Sequence, residues 1–179
     1  MSQMSRGELP HSTFLTKKEW RSIELWLYTM EKYGHYSDDR LARKAKKKMG
    51  LSYDVLGHGS FRVVFDLNND YVLKVVTRRM GFISNEIEMD LFRECPKHLR
   101  NYLCPVYEFG HGWIIMRKMI RTVSMEERDH RKKLVKLEDD FLKEGIHPGD
   151  LNEENLALSR TGKLVVIDYG HFSKADFWW

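Results

Sequence analysis

Apolar residues recur at helical spacing early in the chain. Trp20, Ile23, Leu27 and Met30 share one face, and Leu25, Trp26 and Tyr28 widen it, which is the stripe of a helix packed against a partner surface. Thr16 with Glu19 three residues later forms a capping box, and Gly34 is a stop signal, so residues 17–33 are predicted helical. Ser37, Asp38 and Asp39 precede a second helix, predicted over 40–49 and closed by Gly50. The period then changes. Residues 56–65 and 71–76 read as two strands joined by a turn at Asn68, Asn69 and Asp70. Ser84 is read as the cap of a helix over 85–94, packed through Ile87, Met89, Leu91 and Phe92. Residues 104–109 and 113–116 read as two further strands across Gly110, His111 and Gly112. The run Ser124, Met125, Glu126, Glu127 is a second capping-box pattern. It opens a helix to about residue 143, with Leu134, Leu137, Phe141 and Leu142 inward and Gly145 at its end. An apolar turn at 156–158, a reversal at Thr161 and Gly162, and a buried strand at 164–167 follow.

Composition narrows this little. A chain of 179 residues that is 42% hydrophobic and 12% aromatic fills a core and is not disordered throughout. Lys and Arg exceed Asp and Glu by 30 to 26, a mild basic balance. Much of that excess lies on the second helix, at Arg40, Arg43, Lys44, Lys46, Lys47 and Lys48. It reads as the solvated face of a helical hairpin bracing the next domain rather than as a nucleic-acid surface, because no aromatic interleaving accompanies it. Cys95 and Cys104 stand at neither metal-ligand nor redox-motif spacing, as expected of incidental thiols in a reducing compartment. The N-terminus has no apolar signal core, and no apolar run approaches the roughly 20 residues of a membrane span. A cytoplasmic location is expected.

The chemistry concentrates in residues 146–170, I-H-P-G-D-L-N-E-E-N-L-A-L-S-R-T-G-K-L-V-V-I-D-Y-G. Asp150 and Asn155 lie on one loop, and the following hairpin brings Asp168 back beside Asn155. A carboxylate that orients a hydroxyl, with an amide and a second carboxylate that hold Mg²⁺, is the electrostatic minimum for moving a γ-phosphate. Upstream, Lys74 is the only lysine in an otherwise apolar strand and needs an anionic partner.

These residues resemble the protein-kinase-like superfamily. Asp150, Asn155 and Asp168-Tyr169-Gly170 match D-x-x-x-x-N followed by D-[FY]-G, and L-G-H-G-S-F-R-V-V-F resembles the glycine-rich hairpin that leads to the strand lysine. The resemblance covers about residues 56–170. It implies an α+β, miniature two-lobed protein-kinase-like fold, with an antiparallel N-lobe sheet, a reduced C-lobe and an N-terminal helical extension. The expected divisions are 1–50 for the extension, 51–119 for the N-lobe and hinge, and 120–179 for the truncated C-lobe.

The implied cofactors are ATP and Mg²⁺. Gly57, Gly59 and Phe61 form the phosphate loop, Val64 covers the base, and backbone groups of Arg117, Lys118 and Met119 meet adenine. Lys74 grips phosphates while paired to Glu86, with Glu88 the alternative two residues on. Asp150 is the catalytic carboxylate, and Asn155 and Asp168 are the metal ligands. The implied activity is a serine/threonine protein kinase, with a Ser or Thr hydroxyl of a protein as substrate. A pseudokinase acting as a binding module and a small-molecule kinase are the alternatives.

The sequence departs from the family at several points. Arg62 stands in place of the third loop glycine, His147 precedes Asp150 by three residues rather than two, and Asn152 stands where protein kinases of this type carry lysine. The chain runs only nine residues past Gly170, leaving no room for an activation segment or the later C-lobe helices. Phe172, Phe177, Trp178 and Trp179 are expected either to fold back on the core or to form a contact patch for a partner.

Overall fold

Strand alternation determines what faces what. β1 (Val55–His58), β2 (Arg62–Asp66), β3 (Tyr71–Val76), β5 (Trp113–Arg117) and β4 (Val106–Gly110) form one antiparallel sheet in that spatial order. The register pairs Val64 with Lys74 and Lys74 with Ile114, so successive residues fall on opposite faces. Val63, Phe65, Leu73, Val75, Trp113 and Ile115 lie in one core, all 4% exposed or less. Val64, Val72, Ile114 and Met116 lie in the other. The computed structural model describes residues 12–119 and 121–174.

The first face is covered by α1 (Lys17–Thr29), a 3₁₀ turn at Met30–Tyr33 and α2 (Asp38–Met49). The predicted capping box is present: the Thr16 hydroxyl accepts from the Glu19 N–H, and the Glu19 carboxylate accepts from the Thr16 N–H. Ile23, Trp26, Leu27 and Met30 are buried, and the Trp26 indole donates to the Val76 carbonyl at 2.8 Å. The wider face expected from Leu25 and Tyr28 does not pack, since these are 69% and 88% exposed. Both lie off the angular stripe of the buried four. On α2, Arg40 stacks on Tyr36, Lys44 lies over the Tyr33 ring, and Lys46 and Arg43 pair with Asp54 and Asp39. Much of the basic surface thus has local partners.

The second face meets α3 (Met80–Glu94), followed by the short α4 (Lys97–Arg100). Beyond it lie β6 (Arg121–Thr122), α5 (Arg128–Lys143), β7 (Ile146–His147), β8 (Leu156–Leu158), β9 (Leu164–Val166) and β10 (Ser173–Lys174). Three expectations are corrected here. α3 begins at Met80, and Ser84 is no cap but a buried interior residue whose hydroxyl bonds back to the Met80 carbonyl. Helix entry this early brings Gly81 against the loop between β1 and β2, where a Cβ would lie 2.6 Å from the Phe61 carbonyl oxygen. The 124–127 box is instead a turn, closed by Glu127 N–H to the Ser124 carbonyl, and α5 starts directly after it at Arg128 without a side-chain cap. Residues 156–158 form a strand, because Leu156 and Leu158 pair with Val166 and Leu164 across the reversal. Phe172 is buried against Phe141 and Tyr169, whereas Phe177, Trp178 and Trp179 lie outside the described residues. Among the described residues, no helix is long and apolar enough to cross a membrane.

Removing residues 1–50 would uncover Val63, Phe65, Leu73, Val75 and Ile115 together. At about 1.5–3 kcal/mol for each large apolar side chain, that loss is comparable to the roughly 5–15 kcal/mol stability of a whole domain. The truncated chain is expected to lose its cooperative thermal transition. A sharp melt near that of the full chain would show that the helices do not brace the sheet.

Candidate functional site

The glycine-containing loop between β1 and β2 is held from behind by α2. His58 Nε2 lies 2.9 Å from Asp39, the Ser60 hydroxyl donates to Asp38 at 3.0 Å, and Arg78 donates to both Asp38 and the Ser60 carbonyl. A Cβ built on Gly57 or Gly59 would meet nothing within 4 Å, and neither glycine has positive φ. The protein's own packing therefore does not demand glycine there, and a ligand approaching the backbone would. At the loop tip, the Phe61 ring meets the His171 ring edge-on, with centroids 6.1 Å apart. Val64 is half-buried on the cleft side of β2, packed against the second core.

Lys74 is buried on β3, and its ammonium donates to Glu88 at 2.8 Å and to the Ile167 carbonyl at 2.8 Å. Glu86, the residue expected to pair with it, is exposed, whereas Glu88 is fully buried. Two residues along a helix turn a side chain by about 200°. Gly81, Ser84, Asn85, Glu88 and Leu91 fall on the inward stripe of α3 and Glu86 on its outer one. Gly170 follows the same packing, since a Cβ there would lie 2.7 Å from Ser84 Cβ.

Asp168 sits beyond β9, placed beside the loop by Ile167 N–H donating to the Asn155 carbonyl at 2.8 Å. Its Oδ1 accepts from Arg62 at 2.6 Å, and its Oδ2 lies 3.7 Å from the Lys74 ammonium. Burial raises its pKa, but the charges of Lys74 and Arg62 outweigh burial and hold the carboxyl well below the usual carboxylate range. A depressed folded-state pKa contributes stability that is full above the ordinary carboxylate range and is lost progressively as pH falls from that range through the lowered value. Tyr169 is fully buried. Its N–H donates to Glu88 at 3.2 Å and its hydroxyl to the Cys104 carbonyl at 2.8 Å. Burial pushes the neighbouring Cys104 thiol up to about 12, as befits an unreactive core residue.

Asp150 is exposed and left-handed at φ 59°, a conformation that costs most side chains energy but that aspartate tolerates. Asn152 donates to its Oδ1 at 2.7 Å, and Asn155 donates to its Oδ2 at 3.2 Å and its carbonyl at 2.8 Å. Asn152 thus orients the carboxylate instead of supplying a lysine's charge. Turning its amide nitrogen to Asp150 leaves Asn155 with its amide oxygen directed away. His147 is exposed and paired through β7 to Ser173, so it does not brace the loop. Gly149 allows the close approach there, since a Cβ would lie 2.2 Å from the His171 carbonyl oxygen.

The linker after β5 is anchored by Arg117 N–H to the Pro105 carbonyl and Lys118 N–H to the Asp70 carbonyl, while the Lys118 ammonium pairs with Asp66. Met119 lines a cleft of about 910 Å³ together with Val123, Leu156, Ala157 and Ile167. Among the described residues, no cluster of three or more His, Cys, Asp or Glu side chains is disposed to hold a metal ion. Asp168 and Asn155 suit Mg²⁺ all the same, because that ion is usually held by one or two side chains together with substrate phosphates and water.

A five-stranded antiparallel sheet, a strand lysine paired to a helix glutamate and a D-Y-G turn beneath them make this an α+β, small kinase-like fold. The solved structure of WbdD at 2.2 Å resolution is similar to this chain with a TM-score of 0.50 and 15% identity, over 68% of this chain and 35% of that one. A complex of WbdD with the kinase inhibitor LY294002 gives 0.49 at 15% identity, over 68% and 34%. A structure described as the bifunctional kinase-methyltransferase WbdD gives 0.48 at 15% identity, over 66% and 31%. The matched part spans about a third of those chains. No family model matches the sequence, and no curated protein matches it.

Proposed function

We propose that this protein is an ATP- and Mg²⁺-dependent phosphotransferase acting on a Ser or Thr hydroxyl of a protein substrate in the cytoplasm. The observation that carries the reading is the chain of contacts that runs from the Lys74–Glu88 pair to Asp168 and, through Ile167 N–H on the Asn155 carbonyl, to Asn155 and Asp150. Lys74 neutralises the inner phosphates, Gly57 and Gly59 admit the outer ones to backbone contact, and Met119 with Ala157 and Ile167 walls the base. Asp168 and Asn155 would hold Mg²⁺, which neutralises charge on the transferring phosphate. Asp150, exposed and oriented by two amides, accepts the proton of an incoming hydroxyl.

Calorimetric titration of ATP with and without Mg²⁺, followed by incubation with labelled ATP and cell extract, tests this. Wild type is expected to bind ATP more tightly with Mg²⁺ and to label protein. Lys74→Ala is expected to weaken binding by roughly tenfold or more, through loss of a charge-assisted contact. Label appearing only in a soluble small product would move the substrate class to small molecules. The grip of Arg62 on Asp168 favours a second reading, a pseudokinase binding module, and tight nucleotide binding without any transfer would select it.

A further inference from the structure

Arg62 is the feature that the kinase-like pattern does not require. It stands where β2 leaves the phosphate loop, and its side chain is only 7% exposed. Rather than obstructing the loop, it turns inward on the cleft side of the sheet. Nη1 donates to Asn85 at 3.0 Å and to Glu88 Oε2 at 2.6 Å, and Nη2 donates to Glu88 Oε1 at 3.2 Å and to Asp168 Oδ1 at 2.6 Å. Together with Lys74, it makes a set of two cations and two carboxylates drawn from β2, β3, α3 and the turn after β9, buried except at Asp168, which is partly open to solvent. The planar guanidinium spans two carboxylates at once, a geometry a single ammonium cannot reproduce.

The arrangement makes the two oxygens of Asp168 unequal. Oδ1 is taken by Arg62, with the Gly170 N–H at 3.4 Å, while Oδ2 faces the Lys74 side. Resting on the phosphotransferase reading, we propose that Arg62 is a positioning residue of the nucleotide site: it locks Asp168 to Glu88 on α3 and so presents Oδ2 to a divalent cation. Without the fork, Asp168 rotates toward Lys74, and that ammonium is drawn from phosphate to carboxylate. Metal-dependent nucleotide affinity then falls, while the metal-free contribution of Lys74 changes less.

The test is ATP binding by calorimetry, in EDTA and across a Mg²⁺ titration, for wild type, Arg62→Lys, Asp168→Asn and the double variant, each below its own melting transition. Arg62→Lys keeps the buried charge but not the fork. It is expected to leave metal-free affinity within about twofold, and to raise the Mg²⁺ concentration for half-maximal enhancement by roughly tenfold or more, the scale for residues that orient a metal ligand. In the Asp168→Asn background, the same substitution should add nothing to the metal response. A Mg²⁺ midpoint that is unmoved would make Arg62 purely structural, and a lowered midpoint would make it a competitor of the metal; either overturns the proposal. If wild type itself binds no ATP under any condition, the phosphotransferase reading fails first. Wild-type binding with an unmoved Arg62→Lys midpoint sinks the positioning role alone.

Discussion

Glu88→Gln should destabilise the protein by about 3–5 kcal/mol, the usual cost of breaking a buried ion pair by removing one partner. Glu86→Gln should change stability by less than about 0.5 kcal/mol, as most exposed substitutions do. Oε1 of Glu88 accepts from Lys74, Arg62 and the Tyr169 N–H, and Oε2 accepts from Arg62. Glutamine removes the charge and also turns an NH₂ group toward one of these donors. Two buried cations then share the Asp168 carboxylate, which is partly open to solvent. For a chain of this size, the difference is roughly 10 °C in melting temperature, readable by circular dichroism or urea titration. Equal melting of the two variants would place the lysine's true partner elsewhere.

Asp150→Asn should separate binding from turnover. Asparagine accepts the left-handed backbone that Asp150 adopts at φ 59°, so the loop keeps its path. ATP affinity in Mg²⁺ should stay within about twofold, because Lys74 and Asp168, the groups proposed to meet the nucleotide and its metal, are untouched. Phosphoryl transfer should fall by roughly 10² or more, the scale for losing a positioned base. Single-turnover transfer and equilibrium titration on the same preparation check both halves. Undiminished transfer would remove Asp150 from the mechanism and make its match to the kinase-like loop coincidental.

Most of the fold was legible because its signals are local. The Thr16 box, the glycines that follow the 3₁₀ turn and α2, and the alternation through β2, β3 and β5 each need only a few neighbouring residues. The errors arose where tertiary contacts outweighed local chemistry. Ser84 has the composition of a cap, yet the helix starts five residues earlier, at Met80, where Gly81 permits contact with Phe61. The ion pair expected at Glu86, with Glu88 as the alternative, falls on Glu88, because the face of α3 packed on the sheet decides which of two side chains about 200° apart points inward. The spacing of Ser84, Glu88 and Leu91 did trace the inward stripe, but two polar members disguised it among the more conspicuous Ile87 and Phe92. Arg62 left no local trace of its burial. Its partners lie 26 and 106 positions further along, and only the folded sheet brings them to it.

The strict alternation of the central sheet also governs where the chain tolerates changes in length. In β3, a single residue inserted between Val72 and Leu73 would exchange the faces of the residues that follow it. Leu73 and Val75 would enter the cleft, and the ammonium would enter a wholly apolar layer beneath Trp26, far from Glu88. Such an insertion would damage folding and nucleotide binding in one step. The same residue added in the exposed reversal at Asn68 and Asp70 would leave strand parity unchanged. The reading frame of this site is therefore set in steps of two within strands, and its freedom to drift lies in the turns.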